Sequence, residues 1–520
     1  MALGVAMTQA RFEDPRQLLG DRLRGIYRFL ADFGGRLFGD DYFADMYKES
    51  RRGRPTVPAR VLATVMILQA HEGLSDQEAV DRLECDLRWQ APAGVHSGYE
   101  GFHPTVLVGI RNRLRASERP RRLFEDTKKV AAEAGVLKGR ARVLDSTPLY
   151  DAVATQDTVT QLRSAIRRLL MLLQGTNLGA KIRVGLRRDD DYLAPGKPPC
   201  DWDDPAARDA LVDALVRDVK LAVEVLDGAR LDPLIAEMGR LLAELAGQDV
   251  EEGDDGVFRI AKGVAKDRII STVDTQARHG RKSHDRCFDG YRTHVSVDPD
   301  SELIDNTAVT AANVADHDAV DDLLAGTAER EDKPTVFGDC AYGGGETISR
   351  LEERGYEAMT KVPAAHSRHG RYSKDDFGID LEAEMVSCPA GQVTPIRWGR
   401  DGGGLASFGP ACATCPLAGR CTTNRSGRTI SIHRHEQILQ RHKADQQTPE
   451  WQNAYTGTRP KVERKIGHFV SRLWGGRKAR TRGKQRIATD VDTRAAALNW
   501  SRLDVLGVHW NGAAWAAAGP

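Results

Sequence analysis

Two periods of apolar spacing run along this chain, and the places where one gives way to the other mark its parts. Between residues 57 and 123 apolar positions recur every three or four residues, the spacing of one helix face. "ARVLATVMILQAH" reads as one helix. "GLSDQEAVDRL" opens a second, because Ser75 and Glu78 have the spacing of a capping box, in which each side chain satisfies an N–H of the first turn. In "HPTVLVGIRNRLRASERPRRLF", Val106, Leu107, Ile110 and Leu114 make an apolar side, with Arg111, Arg113 and Arg115 set between and after them. Helix, tight turn, helix and basic helix fits a helix-turn-helix module reading DNA. A plain helical bundle with a solvated arginine face fits equally.

"RARVLDSTPLY" breaks this pattern as a short β-rich run ending in Asp145. Helical spacing then returns from 155 to about 248: Leu211, Leu215, Val219, Val223 and Leu226 precede Leu231, Leu234, Met238, Leu241 and Leu245, with "DGARLDP" as the turn between two helices. After 265 the period is that of strands. "YRTHVSVDPDSELIDNTAVTAAN" predicts a β-hairpin, "KPTVFGDCAYGG" a strand ending at Asp339, "ETISRLEERG" a helix and "YEAMTKVPA" a strand. The order predicts an α/β fold with a mixed sheet covered by helices. We expect a helical region over 1–135 and a catalytic unit over 136–505, interrupted by a helical insertion (151–262) and a Cys-containing insertion (365–450), with a tail at 506–520.

Composition adds little until charge is followed along the chain. The 520 residues hold 75 Lys and Arg against 74 Asp and Glu, a formal net charge of +1, so the bulk names no partner. The stretch 459–486 is different: Arg459, Lys461, Arg464, Lys465, Arg472, Arg477, Lys478, Arg480, Arg482, Lys484 and Arg486 surround a single acid, Glu463. A patch of that density suits a polyanion. Aromatic content is low, 6%, which does not suggest base-stacking platforms. The apolar run "VLATVMILQA" is about half of what a membrane span needs, and "MALGVAMTQARFEDPRQ" lacks the parts of a secretory signal. The expectation is a soluble, cytoplasmic protein. Four of the eight cysteines, Cys388, Cys412, Cys415 and Cys421, cluster in "SCPAGQV" and "CATCPLAGRC", a donor set for structural Zn²⁺. The alternative is four unrelated thiols. Cys85, Cys200, Cys287 and Cys340 read as core or incidental, and His433, His435 and His442 as surface residues.

The candidate chemistry is three carboxylates. Asp145 and Asp339 stand at or near the ends of predicted strands, where open sheets place functional groups. On the helix of Glu463, Val462, Ile466, Phe469, Val470 and Leu473 form the apolar stripe, with Glu463 about 100° around from Val462, at its rim. Three such acids at one place would share Mg²⁺ (or Mn²⁺), a pair of ions suited to in-line attack on phosphorus, with the flanking cations on the phosphates. Taken alone, Glu463 would be an ordinary surface acid pairing on its own helix. Asp274 in "STVDTQARHGRKS" is a rival for the first position.

"VLDSTPLYDA", "FDGYRTHVSVDPDSELIDNTAVTAANVADHDAV", "VFGDCAYGGGETISRLEERG" and "RPKVERKIGHFVSRLWGGRKARTRGKQR", in this order, resemble the DDE transposases of bacterial insertion sequences. "RRGRPTVPARVLATVMILQAHEGLSDQEAVDRLECDLRW" resembles the helical region preceding the catalytic domain in one group of them. The resemblance implies a ribonuclease H-like catalytic domain, Asp145, Asp339 and Glu463 as its metal-binding acids, and Arg459 as the Arg of a Tyr, Arg, Glu, Lys signature. Tyr455 stands four residues before Arg459 where the signature has three, and Val470 stands where it has Lys, with Arg472 nearby. The implied partners are double-stranded DNA, as terminal inverted repeats and target, and a second copy of the chain in a dimer on DNA. The implied place of action is the bacterial nucleoid. A transposase-derived, zinc-containing DNA-binding protein without strand transfer is the competing hypothesis.

Overall fold

The computed structural model describes residues 13–47, 56–194, 196–283, 285–326, 334–367, 369–471 and 476–518. Arg472 and Leu473 lie outside the described residues. Helices α1 (Pro15–Leu19), α2 (Gly25–Leu37), α3 (Ala59–Glu72), α4 (Asp76–Cys85), α5 (Leu87–Ala93), α6 (Thr105–Ala116) and α7 (Arg122–Glu133) come first. The capping box of α4 is present, with Glu78 N–H donating to the Ser75 hydroxyl and Ser75 N–H to the Glu78 carboxylate. The run from His103 to Phe124 is two helices and not one: α6 stops at Ala116 and α7 starts at Arg122. Pro120 has no N–H to donate and disfavours helical backbone at Arg119. Apart from Arg60, every residue of α3 from Ala59 to Ala70 is buried, so α3 is the helix around which α2, α4, α5 and α17 pack.

Strand β1 (Ala141–Tyr150) is followed by α8 (Thr158–Leu172), α9 (Asn177–Gly185), α10 (Pro205–Leu226), α11 (Pro233–Gln248) and the small hairpin β2 (Val250–Glu252) and β3 (Phe258–Ile260). These helices close on their own core, which includes Leu162, Leu169, Leu215, Val219 and Leu242. The sheet resumes with β4 (Arg278–Ser283), β5 (Arg286–Val297) and β6 (Ile304–Ala311), then α12 (Val320–Leu324), β7 (Thr335–Gly338), α13 (Gly345–Glu353) and β8 (Glu357–Thr360). Its order is β4-β5-β1-β7-β8, with β6 also on β5. β1 pairs antiparallel to β5 and parallel to β7, and β7 is parallel to β8. The result is the mixed sheet flanked by helices that the sequence predicts.

The Cys-containing stretch holds more regular structure than its loop-like composition suggests. β9 (Gly378–Asp380), β10 (Met385–Ser387), β11 (Val393–Trp398), β12 (Gly404–Ser407) and β13 (Thr429–Ile432) form a five-stranded antiparallel sheet, with the one-turn α14 (Ala418–Cys421) before β13. Then come α15 (Glu436–Asp445), the long α16 (Pro449–Phe469), α17 (Lys484–Val505) and the hairpin β14 (Val508–Trp510) and β15 (Trp515–Ala517). Residues 506–520, read from sequence as a tail, carry this hairpin, and its Trp515 stacks on Phe29 at 6.2 Å. One apolar core runs from α2 and α3 through β1 and β5 to Val462, Ile466 and Phe469 of α16 and Trp500 of α17. The first helices and the sheet therefore share a single interior.

Candidate active site

The two aspartates meet because of strand register. On the parallel pair, Val143 faces Phe337. Two residues further along stand Asp339, just past the end of β7, and Asp145, which lies in the middle of β1 and not at its end as the sequence suggested, because pairing with β5 extends the strand to Tyr150; neighbouring chains running the same way carry the two to the same level. Beyond Asp339 the backbone turns sharply: the Asp339 carboxylate accepts the Ala341 N–H (2.9 Å). Gly343 passes so close to the next strand that an added Cβ would lie 2.1 Å from the Lys361 carbonyl oxygen. Only glycine fits that passage.

α16 lies across these strand ends. Trp451, Tyr455, Arg459 and Glu463 follow one another at four-residue steps and so share one stripe of the helix. The Tyr455 ring stacks on Trp451 (4.6 Å), and its hydroxyl donates to the Gly338 carbonyl (3.2 Å). Arg459, which is buried, donates to the Leu144 carbonyl (3.0 Å), ion-pairs with Asp145 (2.9 Å) and reaches Asp339 at 3.8 Å. One guanidinium thus bridges the aspartates. Tyr455 at four residues before Arg459, where the signature has three, is still on the stripe that faces the strands.

The electrostatics follow from burial. Asp145 is pushed up to about 6 from an ordinary 3.8, first by loss of solvent; Arg459 and the Ser146 N–H oppose the rise, and Asp339 adds to it. Burial pushes the Arg459 guanidinium down, but Asp145, Asp339, Tyr455 and Glu463 outweigh it and hold it above its usual value. Glu463 is exposed, one turn beyond Arg459. Among the described residues, no group of three or more His, Cys, Asp or Glu is close enough to hold a metal ion. Asp145 and Asp339 share a cation supplied by the protein, and Glu463 stands apart at the edge.

The remaining candidates fall in different places. Asp274 is buried in a loop, accepting from Tyr291 (2.7 Å) and from the Gly483 N–H (2.9 Å), and it pins the start of α17. Arg464 and Lys465 face Glu302 in the β5–β6 turn, at 2.6 and 3.7 Å. Lys461 is half-buried. Arg111 pairs with Asp76 (2.7 Å), Arg113 lies over the Tyr47 ring (4.6 Å), and Arg115 points towards Asn112. Three groups near the site have no individual signal in the sequence. Tyr342 is fully buried, and its hydroxyl, which has no hydrogen-bond partner, is raised by burial and then by Asp316, Asp145 and Asp339. Asp316 pairs with Arg292 (2.7 Å) and lies 3.7 Å from His294, and burial lowers His294 to about 4.

Cys388, Cys412, Cys415 and Cys421 line one cavity with Tyr372, Phe377 and Phe408. Cys388 sits in the turn after β10, its N–H on the Gln392 carbonyl (2.8 Å), and the Arg428 N–H donates to the Cys412 sulfur (3.4 Å). Burial raises the Cys421 thiol, opposed by Arg428 and reinforced by the other three. Among the described residues the four form no group close enough to hold a metal ion. Cys85, Cys287 and Cys340, expected as core or incidental, are exposed, and Cys200 is half-buried.

Comparison with protein families gives two matches. A model described as Transposase DDE domain matches residues 387–504, which include the four cysteines, Arg459 and Glu463, and one described as Transposase domain (DUF772) matches residues 12–113. No curated protein and no solved structure matches the chain. Among the described residues no helix is long and apolar enough to cross a membrane. With transposase domain models matching at two separate places in the sequence, and paired aspartates between them, the matches support a DDE transposase of the insertion-sequence type.

Proposed function

We propose that the protein cuts DNA at the terminal inverted repeats of its own element and joins the freed 3′-hydroxyl to target DNA, acting as a dimer on DNA. The mixed sheet is read as a ribonuclease H-like catalytic fold, and residues 1–135 as the part that engages the ends. One observation carries the reading: adjacent parallel strands in register bring Asp145 and Asp339 to one level, where Arg459 bridges them and Glu463 follows a helical turn later.

The donor set is all oxygen, which suits a hard divalent cation, and Arg459 shows that positive charge is already demanded between the aspartates. Asp145, Asp339 and Glu463 would hold two Mg²⁺ or Mn²⁺ ions, which when bound activate water or a 3′-hydroxyl and neutralise charge around phosphorus. Arg459 fixes the spacing of the aspartates, Tyr455 fixes α16 against the end of β7, and Lys461, half-buried on the same helix, is read as a contact for a phosphate oxygen. For the four cysteines the reading is a structural Zn²⁺ that draws the thiols together and staples a small sheet with a thin core. Metal analysis of purified protein that finds no zinc would end that part.

The decisive experiment is Mg²⁺-dependent cleavage of a labelled element end by wild type, Asp145→Asn, Asp339→Asn and Glu463→Gln. All three variants should fail to cut while still binding the end. Variants that cut as well as wild type would leave only a DNA-binding protein. Inverted repeats in the DNA flanking the gene would supply the end to use.

A further inference from the structure

A second concavity, a cleft of about 470 Å³, opens between the start of α4, α6 and the first turns of α17. Arg111, Arg115, Arg480 and Arg486 line it, against Asp76 and Asp490. Both acids are already engaged, Asp76 by Arg111 (2.7 Å) and Asp490 by Arg494 (2.8 Å). Glu78, at the rim, accepts the Ser75 N–H (2.7 Å) in its capping box. Arg480 donates to the Leu74 carbonyl and Arg115 to the Asn112 side chain. Among the described residues no carboxylate pairs with Arg115, Arg480 or Arg486. Burial, then Arg486 and Arg111, lowers Arg115, and burial likewise dominates Arg480, with Asp490 opposing it. Guanidiniums gathered in a concave wall repel one another unless an anion joins them.

The cations continue from this cleft towards the carboxylates. The Tyr150 N–H donates to the Arg477 carbonyl and the Ala479 N–H to the Tyr150 carbonyl, each at 2.8 Å, so the segment carrying Arg477, Lys478 and Arg480 lies along the end of β1. From Asp145 to Tyr150 the strand covers about 17 Å, the rise of about five base pairs. A small free anion would account for the cleft alone. A polymer of phosphates accounts for the cleft and the track.

We propose that this cleft is a phosphate clamp for duplex DNA, shared by the first helices and α17, gripping the backbone five or more base pairs from the position being cut. The inference rests on the reading of the protein as a DNA-cutting enzyme and names a contact by which it holds its substrate. Because Arg115 and Arg486 come from segments far apart in sequence, the clamp exists only when the first helices are docked on α17.

The test is binding of a fluorescein-labelled random-sequence 30-bp duplex to the full chain, without divalent metal, over a series of NaCl concentrations. Arg115→Gln/Arg486→Gln should bind about tenfold more weakly, with the slope of log K against log salt shallower by roughly two. Arg115→Lys/Arg486→Lys should keep the wild-type slope. The melting temperature of the Gln pair should be unchanged or higher, since a repulsion is removed. A wild-type slope in the Gln pair, or a lowered melting temperature with unchanged binding, would overturn the clamp. The catalytic reading is judged separately: Asp145→Asn should bind with the wild-type slope and not cut.

Discussion

Two arginines each stand between two aspartates on the central sheet. Arg142, in β1, reaches Asp305 (2.7 Å) at the start of β6 and Asp298 (3.4 Å) just after β5, and Arg459, from α16, reaches Asp145 and Asp339. The charge arithmetic is the same, one cation to two anions. The surroundings are not. The Asp298 side chain is 1% exposed, and its second oxygen accepts from the Ser301 hydroxyl (2.9 Å) and from backbone N–H groups. The Asp339 side chain is 45% exposed. The sealed cluster is a strut whose members have no other partner to choose, whereas the open one has a face through which another cation can reach the same carboxylates. A count of charges does not tell a structural cluster from a reactive one; access does.

The largest effect that would break this distinction is on cleavage. Asp339→Asn should lower Mg²⁺-dependent cutting by at least roughly 10³-fold, the equivalent of several kcal/mol of charge stabilisation, with thermal stability close to wild type. Asp298→Asn should do the reverse, costing about 1–3 kcal/mol of stability while the folded fraction cuts normally. Equal loss of cutting in both would mean that openness does not mark the site.

Next in size is removal of the two arginines. Arg142→Ala leaves two sealed acids without their cation and should cost about 3–5 kcal/mol in urea denaturation. Arg459→Ala should cost at least about 1 kcal/mol less, since water reaches Asp339, yet it should impair cutting. Equal destabilisation would erase the contrast.

The open cluster was far more legible in the sequence than the sealed one. Asp145 and Asp339 sit in short apolar runs bounded by turn residues, and the Val462, Ile466 and Phe469 stripe orients α16. These are local patterns with a local physical cause. Arg142, Asp298 and Asp305 are equally close in space, but "DPDSELID" carries only a turn signal, and their pairing depends on register between strands. β4 went unrecognised for a similar reason: "RHGRKS" has no apolar face, and it is a strand because β5 offers it a ladder of hydrogen bonds. The strands of the Cys-containing sheet are three to six residues long, too short for alternation to stand out between glycines. Arg464 and Lys465 were legible as cations, but their partner Glu302 lies in a turn some 160 residues away.

A smaller effect concerns pH. Asp145 is held at about 6 against an ordinary 3.8, so between those values the folded chain binds more protons at this site than the unfolded chain does. Its contribution to stability therefore falls as pH rises from about 4 to about 6, and is level above, by an amount on the order of 1–3 kcal/mol. Urea midpoints measured across that range should decline more in wild type than in Asp145→Asn. Parallel profiles would mean that Arg459 cancels the burial of Asp145.

The smallest effect separates two cations that lie either side of Glu463 in sequence. Arg464 is held by Glu302 (2.6 Å), and about half of its side chain is in solvent; such pairs contribute about 0–1 kcal/mol. Lys461 has no ion pair among the described residues. Arg464→Gln should therefore shift stability by less than about 1 kcal/mol and leave DNA binding nearly unchanged, because its charge is already answered within the protein. Lys461→Gln should leave stability alone and reduce the salt dependence of duplex binding by about one phosphate contact. If Arg464→Gln reduces that slope as much as Lys461→Gln does, the Glu302 pair opens when DNA arrives, and contacts within the protein do not decide which cations of α16 are free for phosphate.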